Sequence, residues 1–386
     1  MRLARLGASQ SRTESAVADR ALHIGIDGRE LGKKPPGVGR YLLNLLRRWL
    51  DDPGQRHRFT IFAPCEPPPE LKQLAGPIRW HVTSTDPGDH RPAGTWWEQT
   101  TLPAAANRAD LDVFFAPAYT GPLRLSCPLV LTIHDLSYFA HPEWFSWREG
   151  LRRRWITRQA ARRSAAIVTI SAFSAREIVT HLHIDPARIS VIPHGAPSPG
   201  PPPADVPLES VVLYVGSMFA RRHVTDLMEA FAIVARSLPS ARLVLVGDNQ
   251  MPEFDPLVRA ASLGIGDLVT WRTWLSDVDL DRAYWTSRAF AFLSEYEGFA
   301  LTPLEALAHD LPAVLLDTAV AREVFGDAPI FVPVSVDRIA AAIGTLLTDE
   351  PRRATAIAAG RQVLMRYSWD RAAAAVLRVL EQAARP

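Results

Sequence analysis

Residues 196–207 read APSPGPPPADVP, and no other stretch of the 386-residue chain constrains its fold so strongly. Proline fixes φ and offers no backbone donor, so this run is neither a helix interior nor a central strand. It divides a long alternation of apolar strands and amphipathic helices into two series. Before it, strands are expected at residues 22–26, 59–62, 113–115, 129–133, 166–170 and 189–192, with helices at about 40–50 and 148–163. After it the pattern restarts, with strands at 211–215, 242–246, 268–271 and 289–293 and helices at 224–237, 254–263, 280–286 and 303–309. Such alternation implies parallel sheets with right-handed crossovers, hence an α/β class of two doubly wound domains. The expected boundaries are 21–195 for the first domain, 196–207 for the linker, 208–369 for the second domain and 370–386 for a final helical segment. Ligands of open α/β sheets bind at the carboxyl ends of the strands, so a cleft between the domains is the expected site.

Composition excludes several classes. Hydrophobic residues make up 47% and charged residues 22%, an ordinary balance for a globular protein, and the length suffices for two cores. No run of eighteen apolar residues occurs, so no membrane-spanning helix is expected. Residues 1–20 have a basic start but no apolar stretch, and they read as a disordered leader or an early start codon rather than a secretory signal. Of the 43 basic residues only Lys33, Lys34 and Lys72 are lysine, a bias attributed to a GC-rich genome. Cys65 and Cys127 lack metal-ligand spacing and form no disulfide framework, which fits a reducing cytoplasm.

The chemistry concentrates at residues 297–305, EGFALTPLE. Two carboxylates, Glu297 and Glu305, lie eight positions apart across a turn from an apolar strand into a helix. Thr302 is expected to cap that helix, with Pro303 opening it and Glu305 three residues past the cap. The turn would present the amides of Gly298, Phe299, Ala300 and Leu301 beside a helix start, a place that attracts phosphate. An acid on each side of an anion cradle suits a nucleoside-diphosphate sugar, whose diphosphate lies between two hydroxyl-rich rings. A plain capping box of Thr302 and Glu305 accounts for the same residues, and on this segment alone both readings stand.

The segment resembles the E-x7-E stretch of retaining glycosyltransferases of family 4, usually written EGFGLPxLEA, and other segments fit that family in order across nearly the whole chain. Residues 215–223, VGSMFARRH, are similar to its VGxxxxRKN, whose basic residue neutralises the donor diphosphate. Here Arg222 stands where Lys is usual and His223 where Asn is usual, and Ser217 lies in the same turn. Arginine suits the role because its fork matches phosphate oxygens bidentately. Cations at a helix start also oppose the helix dipole, which a fixed anion would offset; a solvated arginine pair is the alternative. Residues 132–135, TIHD, resemble the family's HD motif, which implies that His134 approaches the reacting sugar, donating to a hydroxyl or steadying charge near the leaving group. A satisfied buried polar group is the other reading. Gly37 and Gly39 lie in PPGVGRY, where the family's loop touches donor phosphate and acceptor. A tight turn explains these glycines equally, and the dinucleotide spacing is absent.

Residues 170–174 and 191–195 are similar to the family's TxSxFS and IPNG segments and are read as mainly structural, while residues 274–277 fall where the family's backbone meets the base. The resemblance implies GT-B architecture, two Rossmann-like domains facing across a cleft, with the final helix crossing back onto the first domain. It implies transfer of a hexose, mannose among the candidates, from a nucleotide-sugar donor to a saccharide or lipid-linked acceptor in cell-surface polysaccharide, lipopolysaccharide or glycolipid synthesis. Within that frame Glu305 takes the donor ribose hydroxyls, Arg222 and the amides of Phe299, Ala300 and Leu301 take the diphosphate, Glu297 orients the donor sugar and His134 helps place it. No DxD-like cluster stands at a strand end, so neither metal nor cofactor is expected. A front-face route to retention, in which the departing phosphate receives the acceptor proton, is also an implication of the family. Another nucleotide-sugar enzyme of the same architecture, such as an epimerase, or a non-catalytic sugar-nucleotide-binding subunit are the rivals. A phosphorylase of the glycogen type is excluded, because the second domain has no lysine for a pyridoxal group.

Residues 144–163 carry seven arginines against Glu149 alone, interleaved with Trp144, Trp147 and Trp155. Two readings stand: a face resting on an anionic membrane, useful for a lipid-linked acceptor, or a solvated helix with its tryptophans packed inward. Nucleic acid is not an expected partner, since the charge is confined to one helix without a binding motif.

Overall fold

A computed structural model describes residues 20–31, 37–67, 71, 77–83, 94–202 and 208–385. Residues 1–19 of the expected leader, the lysines at 33, 34 and 72, the prolines at 35 and 36, and residues 203–207 of the proline run lie outside the described residues. The chain forms two units, one comprising the residues up to His194 together with those from Trp369 onward, the other Gly195–Ser368.

The first unit is built on a parallel seven-stranded sheet of order β3-β2-β1-β4-β5-β6-β7. Its strands are β1 (His23–Asp27), β2 (Arg58–Ala63), β3 (Ile78–Val82), β4 (Val113–Ala116), β5 (Leu129–Ile133), β6 (Ala166–Thr169) and β7 (Ile189–Val191). Central strands β4 and β5 are buried along their whole length, which is why they read as unbroken apolar runs. Helix α1 (Gly37–Asp51) turns Tyr41, Leu42, Leu45, Leu46 and Trp49 onto this sheet, α2 (Trp147–Arg163) precedes β6, and α3 (Ala172–Leu182) follows it. Ser171 caps α3 by accepting from the amide of Ser174. The C-terminal helix Trp369–Ala383 shares the core of α1 through Trp369, Val376 and Leu380. Burial of each such large side chain stabilises by roughly 1.5–3 kcal/mol. Trp49 Nε1 donates to the carbonyl of Ala373 at 2.9 Å, fixing the register between the two helices.

Two details differ from expectation. The first helix begins at Gly37 rather than near Arg40, so Gly37 and Gly39 sit in its first turn and not in the preceding loop. Strand β3, with the mixed sequence IRWHV, is half-buried at the sheet edge and never shows the apolar run of a central strand.

The second unit holds a parallel six-stranded sheet of order β10-β9-β8-β11-β12-β13. Its strands are β8 (Val211–Val215), β9 (Arg242–Val246), β10 (Val269–Arg272), β11 (Ala289–Phe292), β12 (Ala313–Leu316) and β13 (Ile330–Val332). Helix α4 (Val224–Ser237) follows β8, α5 (Asp277–Thr286) follows β10 and α6 (Leu301–Ala308) follows β11. Strand order reverses between the hydrogen-bonded neighbours β8 and β11. The loops leaving their carboxyl ends therefore flank a topological switch point, where open α/β sheets bind ligands.

Candidate active site

The two loops at that switch point are residues 216–223 and 293–300. Gly216 leaves β8 at φ +146°, and a Cβ there would lie 2.9 Å from the guanidinium of Arg222. Gly247, φ +141°, passes so close that a Cβ would lie 2.1 Å from the carbonyl oxygen of Gly216. Backbone of this kind is open to glycine and closed to other residues. It lets the first loop fold down over the strand ends and turn through Ala220–Arg222 into α4.

Arg222 is the hub of the second unit's site. Its Nε and Nη2 donate to Glu297 Oε1 at 3.1 and 2.9 Å, and Nη1 donates to the Ser217 carbonyl at 3.0 Å. The guanidinium also lies over the ring of Phe292, 5.0 Å from its centroid. Burial disfavours its charge, yet the Glu297 carboxylate and the Tyr214 hydroxyl beside it hold the pKa above the ordinary arginine value. Tyr214, whose own pKa burial pushes up to about 12, donates to the Ser217 carbonyl at 3.1 Å. Ser294 Oγ gives Glu297 Oε1 a further hydrogen bond at 2.9 Å. Glu297 is thus held in place by a cation and a hydroxyl while keeping part of its surface open.

After Glu297 the chain runs through buried Gly298 and Phe299 to Ala300, which adopts φ 64° and ψ 78°. Phe299 is wedged edge-on against Tyr367, with ring centroids 5.1 Å apart. The expected cap does not form. Helix α6 begins at Leu301, its N-cap position is Ala300, and no side chain caps it, so Thr302 lies inside the first turn. The left-handed Ala300 supplies the change of direction that a capping threonine would otherwise supply. That leaves the capping-box reading of Thr302 and Glu305 without support. Glu305 sits on α6, where Oε2 accepts from the hydroxyl of Tyr284 at 3.1 Å. Tyr284, fully buried on α5, stacks on His309 at 4.8 Å, and His309 bonds both the Glu305 carbonyl and Asp281.

The first unit carries His134 at the carboxyl end of β5. Its ring is buried, and Nε2 donates to the Pro117 carbonyl at 2.8 Å. Burial lowers its pKa, outweighing that carbonyl and the neighbouring Asp135. The neutral ring with its proton on Nε2 presents Nδ1 as an acceptor, which differs from the expected donor role. Tyr41, Tyr119 and His194 pack around it at centroid distances of 5.0, 5.4 and 5.6 Å. Asp135 is fixed in turn by the Tyr119 hydroxyl at 2.9 Å and the Ser137 amide at 2.8 Å. Gly37 opens α1 with nothing within 4 Å of the place a Cβ would take, so packing does not demand glycine there.

One cluster escaped the sequence reading. Asp27 at the end of β1, Arg29 and Glu98 form a buried set of charges: Arg29 Nη2 lies 2.9 Å from Asp27 Oδ2 and 2.6 Å from Glu98 Oε1. Thr120 Oγ1 donates to Glu98 at 2.5 Å. Burial raises the Asp27 pKa to about 6 despite Arg29. Glu98 stands on the π-turn Trp97–Thr101, a form often associated with functional regions. The charged run Asp27-Gly-Arg-Glu30 directly after an apolar strand was the available signal. The tryptophans of α2 also resolve. Trp147, Leu151 and Trp155, four positions apart, are 69%, 54% and 58% exposed, and Trp96 is 80% exposed. Trp147 and Trp155 are therefore not packed inward, whereas Trp144 stacks on His141 at 3.9 Å. No helix among the described residues is long and apolar enough to cross a membrane.

Residues 35–197 match glycosyltransferase family 4, and residues 206–363 match the family described as glycosyl transferases group 1. The MMP alpha-(1->4)-mannosyltransferase of Mycolicibacterium hassiacum is 28% identical over 302 residues, covering 72% of this chain and 72% of that protein. The O-antigen chain mannosyltransferase B of Escherichia coli is 27% identical over 271 residues, 67% of this chain and 71% of that protein. The structure of HepE from Anabaena in complex with UDP and glucose aligns with a TM-score of 0.72 at 19% identity, covering 94% of this chain and 100% of that one. The shared fold is GT-B.

Proposed function

Because the chain belongs to glycosyltransferase family 4, we propose that it transfers a hexose, with retention, from a nucleoside-diphosphate sugar to a saccharide or lipid-linked acceptor. The observation that carries this reading is the Arg222–Glu297 pair, set between the loops of two adjacent strands at the switch point. In the proposal Arg222 and the amides of Phe299, Ala300 and Leu301 bind the diphosphate and stabilise the charge that develops as it leaves. Glu297 accepts from hydroxyls of the donor sugar, and Glu305, oriented by Tyr284, accepts from the ribose. His134 accepts a hydrogen bond from a sugar hydroxyl at Nδ1 and helps place the donor sugar. Gly37 and Gly39 are assigned to the approach of donor phosphate and acceptor. Cationic and amide donors do the work of a divalent ion, so transfer is metal-independent, and the departing phosphate takes the acceptor proton on the front face.

Mannose is the favoured hexose, since two relatives are mannosyltransferases, and a surface polysaccharide, lipopolysaccharide or glycolipid is the favoured product. The arginine-rich face of α2, with Trp147, Leu151, Trp155 and Trp96 outward, suits contact with an anionic bilayer that holds a lipid-linked acceptor.

A thermal-unfolding screen with GDP-, UDP-, ADP- and dTDP-sugars, with and without EDTA, tests the donor site. A saturating donor is expected to stabilise the protein by roughly 2 to 4 kcal/mol, unchanged by EDTA. No shift with any donor would overturn the reading, and loss of the shift in EDTA would overturn its metal-independent form.

A further inference from the structure

We propose that His223 is a positioning residue whose doubly protonated ring ties the two loops of the donor site together, so that affinity for a nucleoside-diphosphate sugar falls when that ring loses a proton. The proposal rests on the donor site described above.

His223 closes the turn after Arg222 with φ 48°, a left-handed conformation that histidine, asparagine and aspartate adopt more readily than most residues. From there its Nδ1 reaches Asp226 Oδ2 in the first turn of α4 at 2.7 Å. Its Nε2 reaches Glu295 Oε1, in the loop that leads to Glu297, also at 2.7 Å. Carboxylates only accept. A neutral imidazole has one N–H and one lone pair, so it can satisfy one of these partners and must repel the other. Both contacts together require the imidazolium. Burial lowers the ring's pKa, but the hydrogen bonds it donates to Asp226 and Glu295 more than offset this and hold the value above that of free histidine.

Two further links join the same loops: the Glu295 amide donates to the Arg221 carbonyl at 3.0 Å, and Arg222 holds Glu297. Charged groups around the ring are Asp226 on α4, Glu295 and Glu297 on the opposite loop, and Arg221 and Arg222 in its own turn. With His223 charged, three cations face three carboxylates. Without that proton the cluster becomes net negative beside the place assigned to a diphosphate, and the Glu295 contact opens. Arg222 then loses the brace between its turn and the opposite loop, while the Asp226 contact remains. Both effects weaken binding of the same anion.

Isothermal titration with GDP-mannose and UDP-glucose at several pH values, on wild type and His223→Asn, tests this. The diphosphate of a sugar nucleotide is a diester that does not titrate in the range, and comparison at equal pH cancels ionisation of the base. Wild-type affinity is expected to fall by about tenfold between about pH 6 and about pH 9. His223→Asn keeps a residue suited to the left-handed turn but has no proton to lose, so it should show only the change that base ionisation brings. A level wild-type profile, or an unchanged decline in His223→Asn, overturns the proposal and leaves the donor site standing. If neither donor binds at any pH, the donor-site reading fails and this proposal fails with it. Should His223→Asn not fold, Glu295→Gln retains the histidine and removes one anionic partner. It should move the decline to lower pH, and an unmoved profile would count against His223.

Discussion

Arg222 and Glu297 are joined through two guanidinium nitrogens at 3.1 and 2.9 Å, the first from the loop after β8 and the second from the loop after β11. Each is thereby the other's support. The cation fixes where the carboxylate points, and the carboxylate holds the cation against the cost of burial. A half-buried pair of this kind is sensitive to loss of one partner, because the remaining charge is left poorly solvated. Glu297→Gln keeps the shape and can still accept from Ser294 and Arg222, but it removes the charge. Turnover should drop by about a hundredfold or more while the folded state persists. Steady-state rates beside far-ultraviolet circular dichroism check this; near-normal turnover would remove Glu297 from its assigned place.

Ala300 marks a point where the fold accepts local strain. Its left-handed backbone, φ 64°, is costly for a residue with a Cβ and nearly free for glycine. Ala300→Gly should raise stability by up to about 1 kcal/mol, reduced by the extra freedom glycine has in the unfolded chain. Denaturant unfolding reads the change directly. A loss of stability would mean that the alanine methyl makes a contact that outweighs its backbone strain.

The role given to Glu305 predicts a dependence on a residue that touches no ligand. Tyr284→Phe removes the hydroxyl that donates to Glu305 Oε2 at 3.1 Å and keeps the ring stacked on His309. A lost hydrogen bond to a carboxylate is worth about 1.5 kcal/mol, so nucleotide binding should weaken roughly tenfold. The loss should be equal for the free nucleoside diphosphate and for its sugar conjugate, because only the ribose is affected. A loss confined to the sugar conjugate would place Glu305 against the hexose instead.

The legible part of this molecule is what local pattern can express. Runs such as LVLTI at β5 and AFAF at β11 announce buried parallel strands, because a strand covered on both faces has no polar side to display. Edge strand β3 lacks that signal, and short β13 has only three residues to carry it. Strand order is a non-local property. Nothing in the separate sequences of β8 and β11 says that they pair, yet their pairing brings residues 216–223 beside residues 293–300. The strand–turn–helix spacing marks Glu297 and the family resemblance marks Arg222, but neither expresses the bond between them. Tyr284 and Asp226 acquire meaning only from partners far along the chain or across a helix turn, and Ser294 from Glu297 three residues on in the same loop. Thr302 shows the opposite failure: a good capping residue was available, and a left-handed alanine two positions earlier took the helix start instead.

The buried charges at the end of β1 give a prediction about stability. Asp27 has a folded pKa of about 6, raised from 3.8 chiefly by burial, with Arg29 pulling the other way. Below its unfolded pKa the carboxyl is protonated in both states and its burial carries no charge penalty. Between the two values the folded protein still holds the proton while the unfolded chain has released it. Stability therefore falls as pH rises through that window, and above about 6 the full penalty remains. The size is up to about 3 kcal/mol, at 1.36 kcal/mol for each unit. Asp27→Asn abolishes this titration while keeping the volume and an acceptor for the Arg29 amide. Wild type should therefore lose stability relative to Asp27→Asn as pH rises from about 4 to about 6.5, and the difference should level off beyond it. Chemical denaturation of both proteins across that range measures it. A constant difference would mean that Arg29 keeps Asp27 ionised throughout, and that the cluster is an ordinary buried ion pair with Glu98 as its second acid.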